Sequence, residues 1–212
     1  MELKKKLLRQ SRLYLIADKE TLGRRSFEKI RKLTHPPVSI VQLRDKKNKD
    51  TFLLLKEAFS LRKLLRKKGI IFIVNDSVEL AKILDADGVH LGQADLPLPI
   101  ARRILGKEKL IGVSCHNIKQ ALCAQRQGAD YIGIGPVFAT STKPHLAPIG
   151  LKPVRECRKR INIPFFAIGG INPDNINTIT SSGTNRVAVC GAVFKSPKPL
   201  SAARKLYASL LK

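Results

Sequence analysis

Residues 51–76 read TFLLLKEAFSLRKLLRKKGIIFIVND, and this stretch decides the fold. Residues 51–68 repeat apolar side chains at Leu54, Leu55, Ala58, Leu61, Leu64 and Leu65, the spacing of one helix face. Gly69 then stands where a C′ glycine ends a helix. The run that follows, residues 70–74, is continuously apolar, as a strand covered on both faces must be, and it leads straight into Asn75 and Asp76.

The same unit recurs in both directions along the chain. Apolar, β-rich runs predict strands over 13–17, 38–43, 70–75, 88–91, 110–114, 131–135, 165–169 and 187–190. Between them, Asn117 with Gln120 predicts a capping box for a helix closed at Gly128. Asn172-Pro173 predicts the N-cap and N1 of a helix ending at Gly183. A closing helix over 200–211 places Leu200, Ala203, Leu206, Tyr207 and Leu210 on one side. Unbroken strand–helix alternation implies parallel strands joined by right-handed crossovers. The expected class is α/β, a single (β/α)8 TIM barrel over residues 1–212, with residues 1–12 a basic N-terminal extension or helix. An open doubly wound sheet is the competing architecture, but no GxGxxG follows the first strand.

Composition narrows the function. The chain has 212 residues, 43% of them hydrophobic and 5% aromatic, enough to bury a core without disulfides or a structural metal. Its longest apolar runs fall short of the ~18 residues a membrane helix needs. Lys4, Lys5, Lys6 and Arg9 imitate a signal-peptide start, but the apolar run after them is cut by Asp18 and Lys19. The cysteines Cys115, Cys123, Cys157 and Cys190 form no CxxC pair, so a reduced, cytoplasmic setting is expected. The net charge of +24 raises the question of nucleic acid. Against it, the cations are spread along the chain, the cluster Arg62, Lys63, Arg66, Lys67, Lys68 reads as a solvated helix face, and aromatic stacking platforms are scarce. No specific nucleic-acid partner and no membrane partner are expected.

In a barrel, chemistry sits beyond the C-terminal ends of the strands. Strand 2 delivers Gln42, Arg44 and Lys46, spaced by two so that an extended backbone points them the same way. Strand 3 delivers Asn75 and Asp76, and strand 4 Gly92, Gln93 and Asp95. Strand 5 ends in Ser114, and strand 6 in Gly135-Pro136 followed by Thr140, Ser141, Thr142 and Lys143. Strands 7 and 8 bring Gly169-Gly170 and Cys190-Gly191. Isolated carboxylates at Asp76 and Asp95 suit Mg2+, which takes one or two carboxylates plus substrate phosphates. Arg44 can fork onto phosphate oxygens, Lys46 and Lys143 add compact charge, and Gly170 and Gly191 let backbone N–H groups approach a second phosphate.

Each residue also has a plainer reading. Asp76 with Glu79 matches a D-x-x-E helix start, and Asp95 before Leu96-Pro97 fits a turn. Thr140 to Lys143 fit a polar loop, and Gly169-Gly170 a tight turn. His90 fits a hydrogen-bonded core position, His116 a helix start and Cys190 an inert buried thiol. Taken independently, these readings do not predict that every polar exception lands at one rim.

The strings YLIAD (14–18), VQLRDK (41–46), ND (75–76), DGVHLGQADLP (87–97), GVS (112–114), GPVFATSTK (135–143) and AIGGI (167–171) resemble the thiamine-phosphate synthase family in order and spacing. The resemblance covers residues 13 to about 210. It implies a Mg2+-dependent transferase with small-molecule substrates. Such an enzyme joins 4-amino-2-methyl-5-hydroxymethylpyrimidine diphosphate to hydroxyethyl-methylthiazole phosphate, or its 2-carboxy form, giving thiamine phosphate and diphosphate. Position by position, it implies that Gln42, Arg44, Lys46, Asn75, Ser114 and Lys143 hold the pyrimidine diphosphate. Of these, Arg44, Lys46, Ser114 and Lys143 would be catalytic, and Asp76 and Asp95 would bind the metal. Thr140, Ser141, Thr142 and Gly170, with the Cys190-Gly191 backbone, would hold the thiazole phosphate.

Two departures are visible. Gly183-Thr184-Asn185-Arg186 stands where the family usually reads GAD-G, and Gly191 stands where a Ser is common. Both are expected to alter contacts at the thiazole-phosphate end. The alternatives are a thiazole tautomerase-type isomerase on the same barrel and a non-enzymatic polyanion-binding barrel. Homo-oligomerisation is left open.

Overall fold

The structure, a computed structural model, describes residues 2–22, 26–33, 38–46, 51–142 and 146–212. Its strands are β1 (Leu13–Asp18), β2 (Val38–Arg44), β3 (Ile71–Asn75), β4 (Gly88–Leu91), β5 (Leu110–Cys115), β6 (Tyr131–Ile134), β7 (Phe165–Ile168) and β8 (Val187–Val189). All pair in parallel in chain order, and β8 returns to β1 through Leu13 opposite Val187, closing the barrel. The helices are α1 (Glu2–Gln10), α2 (Lys19–Leu22), α3 (Ser26–Leu33), α4 (Thr51–Lys67), α5 (Val78–Ile83), α6 (Leu98–Leu105), α7 (Ile118–Arg126), α8 (Lys152–Arg160), α9 (Ile176–Thr180), α10 (Gly191–Phe194) and α11 (Pro199–Leu211).

The barrel follows from strands that are apolar on both faces. Leu13, Leu15 and Ala17 of β1 point outward into a shell of buried helix residues such as Ala58, Leu61 and Leu65 of α4. Tyr14 and Ile16 point inward and meet Ile40, Ile71, Ile73, Leu110, Tyr131, Phe166 and Ala188. Higher on the inner face, apolar positions give way to polar ones: Gln42 and Arg44 follow Ile40, and Asn75 follows Ile73. Period-two alternation therefore separates an apolar barrel floor from a polar mouth.

The basic N-terminal segment is a helix with a task at the opposite end. Leu8 of α1 is buried in the inner cluster with Leu7 packed beside it, so the helix stoppers the bottom of the barrel. Lys4 and Lys5 reach Asp87 and Asp130 (3.0 and 3.4 Å), the residues that precede β4 and β6.

Several sequence expectations are revised in detail. The helix expected to begin at Asn172-Pro173 begins instead at Ile176, because the Asn172 side chain accepts the backbone N–H of Asp174 (2.8 Å) and of Asn175 (3.2 Å) and closes a turn. In the box at α7, Asn117 accepts from the Gln120 N–H (2.9 Å), but Gln120 reaches the His116 N–H (2.7 Å) rather than that of Asn117. Arg62 does not join its neighbours on a solvated face: it lies under α4, donating to the Asp85 carbonyl (2.9 Å) and facing Asp87.

Candidate active site

The C-terminal ends of the strands open into a cavity of about 330 Å3. Of the residues expected there, Gln42, Arg44, Asn75, Ser114, Thr140, Ser141, Thr142, Gly170, Cys190 and Gly191 line it. Lys46, Asp76 and Asp95 do not. They form a cluster of their own at the rim beside Asn75, with Lys46 Nζ 2.9 Å from Asp76 Oδ2 and the Asp76 and Asp95 carboxyls hydrogen-bonded to each other. Lys46 departs from the common direction expected for Gln42, Arg44 and Lys46 because β2 ends at Arg44 and the chain bends after Asp45. Lys143 lies outside the described residues.

The plain reading of Asp76 as an N-cap fails. Ser77 caps α5, accepting the Leu80 N–H at 3.0 Å. Asp76 sits one residue earlier at φ +63, in the left-handed region, with its N–H donated to the His90 carbonyl (2.8 Å). That conformation frees its carboxyl for Lys46 and Asp95. Asp95 does close a turn, accepting the Gly92 N–H at 2.6 Å, and it faces Asp76 as well. Burial and the adjacent Asp76 hold the Asp95 carboxyl above the usual carboxylate range.

Arg44 is pinned to a residue that strand-end reasoning passed over. Its guanidinium bonds Asp18 at the end of β1, and Asp18 also accepts the hydroxyl (2.8 Å) and N–H (3.2 Å) of Thr21. Arg44 Nε is buried with no hydrogen-bond partner among the described residues.

Below Arg44 a chain of polar side chains crosses the barrel. Gln42 Nε2 donates to the Tyr14 hydroxyl (2.8 Å), Tyr14 and Tyr131 hydroxyls are 3.0 Å apart, Tyr131 reaches His90 Nδ1 (3.2 Å), and His90 Nε2 reaches Ser114 Oγ (3.0 Å). The Gln42 amide nitrogen donates to Tyr14, and each hydroxyl and ring nitrogen beyond it can give or take a hydrogen. Burial pushes both tyrosine hydroxyls upward in pKa, so they remain neutral donors. His90 thus satisfies its core reading and also lines the cavity.

On the opposite wall, Lys195 at the end of α10 donates to Ser141 Oγ (3.1 Å), tying the loop after β6 to the segment after β8. Lys195 carried no strand-end signal in the sequence, since it follows β8 by a whole short helix. Gly170, at φ +65, is so close to that loop that a Cβ would lie 2.4 Å from the Ala139 carbonyl. Gly191 is different: a Cβ there would meet only the Lys195 side chain, at an ordinary 3.6 Å. Cys190 is largely buried and its thiol is pushed up in pKa chiefly by that burial, as an inert thiol should be.

The departure at Thr184-Asn185-Arg186 is not at the thiazole-phosphate end. These residues precede β8 and line a separate cleft with Arg9 and Arg12 at the bottom of the barrel.

A closed parallel barrel with its polar inner residues collected at one end defines a (β/α)8 enzyme. The chain belongs to the thiamine monophosphate synthase family, whose model matches residues 13–193. It is 45% identical over 199 residues to a thiamine-phosphate synthase from Chloroflexus aurantiacus, covering 93% of this chain and 91% of the relative. It is 49% identical over 173 residues to a thiamine-phosphate synthase from Synechococcus sp. (strain CC9311), covering 82% of this chain but 49% of that longer relative. Among solved structures, the thiamine phosphate pyrophosphorylase from Pyrococcus furiosus superimposes with a TM-score of 0.86 at 33% identity, over 97% of this chain and 98% of that one. The family resemblance of the motif strings is borne out, and the readings as a tautomerase or a non-enzymatic barrel are not favoured. Among the described residues no helix is long and apolar enough to cross a membrane.

Proposed function

We propose that this chain joins 4-amino-2-methyl-5-hydroxymethylpyrimidine diphosphate to hydroxyethyl-methylthiazole phosphate, or its 2-carboxy form. The bond from the pyrimidine methylene carbon to the diphosphate oxygen breaks, the thiazole nitrogen bonds to that carbon, and diphosphate and thiamine phosphate leave, the 2-carboxy substrate also releasing its carboxylate as CO2. The observation that carries this reading is the rim cluster of Asp76, Asp95 and Lys46 next to a cavity presenting Arg44, Gln42, Asn75 and Ser114.

The residues present fit a magnesium ion. Two carboxyl groups from separate strand ends are crowded together, with one held above its usual pKa by burial and by the other, and hard oxygen donors so placed favour a divalent cation. When bound, Mg2+ would supply positive charge to the diphosphate leaving group. Arg44, oriented by Asp18, and Ser114 both line the cavity and would offer hydrogen bonds to the same group. Lys46 contributes a third positive contact at the rim. Lys143 is assigned the same role by family resemblance.

On the other wall, Thr140, Ser141, Thr142 and Lys195 offer hydroxyl and ammonium donors to the thiazole phosphate, with Gly170 and Cys190-Gly191 behind them. Tyr131 and Phe166 form an apolar floor, and holding two substrates face to face over it supplies acceleration by orientation. No side-chain nucleophile is required, since the attacking atom belongs to the substrate. The four cysteines are unpaired, which supports a reducing, cytoplasmic setting, and we read residues 1–212 as one domain.

Incubating the purified protein with both substrates and Mg2+ tests the assignment. Thiamine phosphate and diphosphate are expected in equal amounts. Isomerisation of the thiazole without joining would reject it.

A further inference from the structure

Two strands of the barrel are entered through the same clamp. Ahead of β4, Asp87 accepts the Phe72 N–H (2.9 Å) and faces Arg62 of α4 (3.4 Å) and Lys4 of α1 (3.0 Å). Ahead of β6, Asp130 accepts the Ile111 N–H (2.9 Å) and faces Arg102 of α6 (2.6 Å) and Lys5 of α1 (3.4 Å). In both, the residue before the strand is a nearly buried carboxylate held between an arginine of an outer helix and a lysine of α1.

Ahead of β8 the equivalent position is Arg186. The arginine that α8 contributes, Arg158, therefore meets a second arginine where its counterparts meet an aspartate. A cleft of about 700 Å3 opens at this point, lined by Arg9, Arg12, Arg158, Arg186 and Lys212, and among the described residues no Asp or Glu side chain lines it. Arg186 spends one nitrogen on the Arg9 carbonyl (2.6 Å), while its Nε is buried with no partner among the described residues. Burial and the neighbouring Arg12 and Arg158 push the Arg186 pKa down, the mark of cations crowded without a counter-charge.

This cleft is separate from the active site. Arg186 stands at the entry of β8 and Cys190 just past its exit, about 13 Å apart by the rise of a strand.

We propose that the cleft is a second anion site, which takes a small polyphosphate in place of the missing third carboxylate. Guanidinium forks match phosphate oxygens geometrically, and several uncompensated cations around one space favour a multiply charged ligand over a single carboxylate. Inorganic diphosphate and the triphosphate of a nucleotide share that chemistry.

The test is calorimetric titration of the full chain with inorganic diphosphate and, in a second arm, ATP. Wild type is expected to show two classes of diphosphate site, one at the mouth and one at the bottom. Arg186→Asp, which rebuilds the clamp of β4 and β6, should remove one class and leave turnover of the two substrates unchanged. Arg158→Ala, an exposed change on α8, should weaken the same class at least about tenfold. If ATP competes for that class and binds it more tightly, the source is a nucleotide; if not, it is free diphosphate. Isotherms of both variants that match wild type would overturn the proposal. So would tight binding of a short RNA, lost in Arg186→Asp, at a class that neither diphosphate nor ATP occupies. Should Arg186→Asp misfold, Arg158→Ala decides alone.

Discussion

The carboxyl groups of Asp76 and Asp95, delivered by the ends of β3 and β4, are hydrogen-bonded to each other at the rim of the barrel. Two acids placed so are poor ballast for a fold, because each raises the cost of ionising the other. Asp76→Ala and Asp95→Ala should each lower kcat at least about 100-fold, since a metal ligand and its charge on the leaving group are lost. Both variants should still melt cooperatively, with a modest loss in midpoint, since Asp76→Ala places Ala at a positive φ and Asp95→Ala removes the bond from the Gly92 N–H. Steady-state assays at saturating Mg2+ with parallel melting curves check this, and near-normal turnover of both variants would refute the metal role.

Asp18 and Arg44 behave oppositely, as a pair on which the fold depends. The Arg44 side chain is 10% exposed and that of Asp18 3%, so removing one partner leaves a charge buried with nothing to answer it. Asp18→Ala should cost about 3–5 kcal/mol in urea unfolding. Arg44→Lys should not restore activity, because an ammonium cannot reproduce the fork that bonds Asp18.

The polar chain below them separates structure from binding. Tyr131→Phe removes the hydroxyl between Tyr14 and His90 and takes one hydrogen bond from each, at a cost of about 1–3 kcal/mol. Ser114→Ala lies at the end of that chain and should raise the KM for the pyrimidine diphosphate with little loss of stability. Denaturant titration and KM measurements on the two variants distinguish the roles.

Gly170 and Gly191 should respond in opposite senses. Gly170→Ala drives a Cβ to 2.4 Å from the Ala139 carbonyl at a positive φ, so the loop carrying Thr140 to Thr142 must move. Its KM for thiazole phosphate should rise while that for the pyrimidine diphosphate holds. Gly191→Ser fits the space and adds a hydroxyl to the cavity, and it should lower the KM for thiazole phosphate.

The buried thiols give a pH-dependent readout of barrel integrity. Burial pushes Cys115 up to about 12 and Cys157 up to about 11, so both stay protonated and unreactive at pH 8 in the folded protein. Alkylation followed by mass spectrometry should leave both unmodified at pH 8 and modify them once the protein is unfolded in urea at that pH.

The barrel was legible because its strands are apolar on both faces, a pattern that depends only on local sequence. The run 88–91 matches β4 at both ends, and 38–43 differs from β2 only by Arg44. The rim was legible where a residue lies at the C-terminal end of a strand or just past it, as with Asn75, Ser114 and Cys190. It was not legible where geometry is tertiary. Asp18 and Thr21 matter through Arg44 from the neighbouring strand, and Tyr14 and Tyr131 look like ordinary core residues until their hydroxyls meet. Lys195 is carried to the site by a short helix after the strand, and Arg186 is carried away from it by lying before one. Sequence spacing fixes which side of a strand a residue occupies, but which end of the barrel it reaches depends on where the strand begins.

The account turns on two acids from separate strands serving one cation beside the diphosphate. Titrating Mg2+ into metal-free protein with both substrates, and following thiamine phosphate, tests that most directly. The account predicts a rate that saturates with Mg2+, vanishes on chelation and returns on re-addition. Thiamine phosphate formed at the same rate in excess chelator would contradict it.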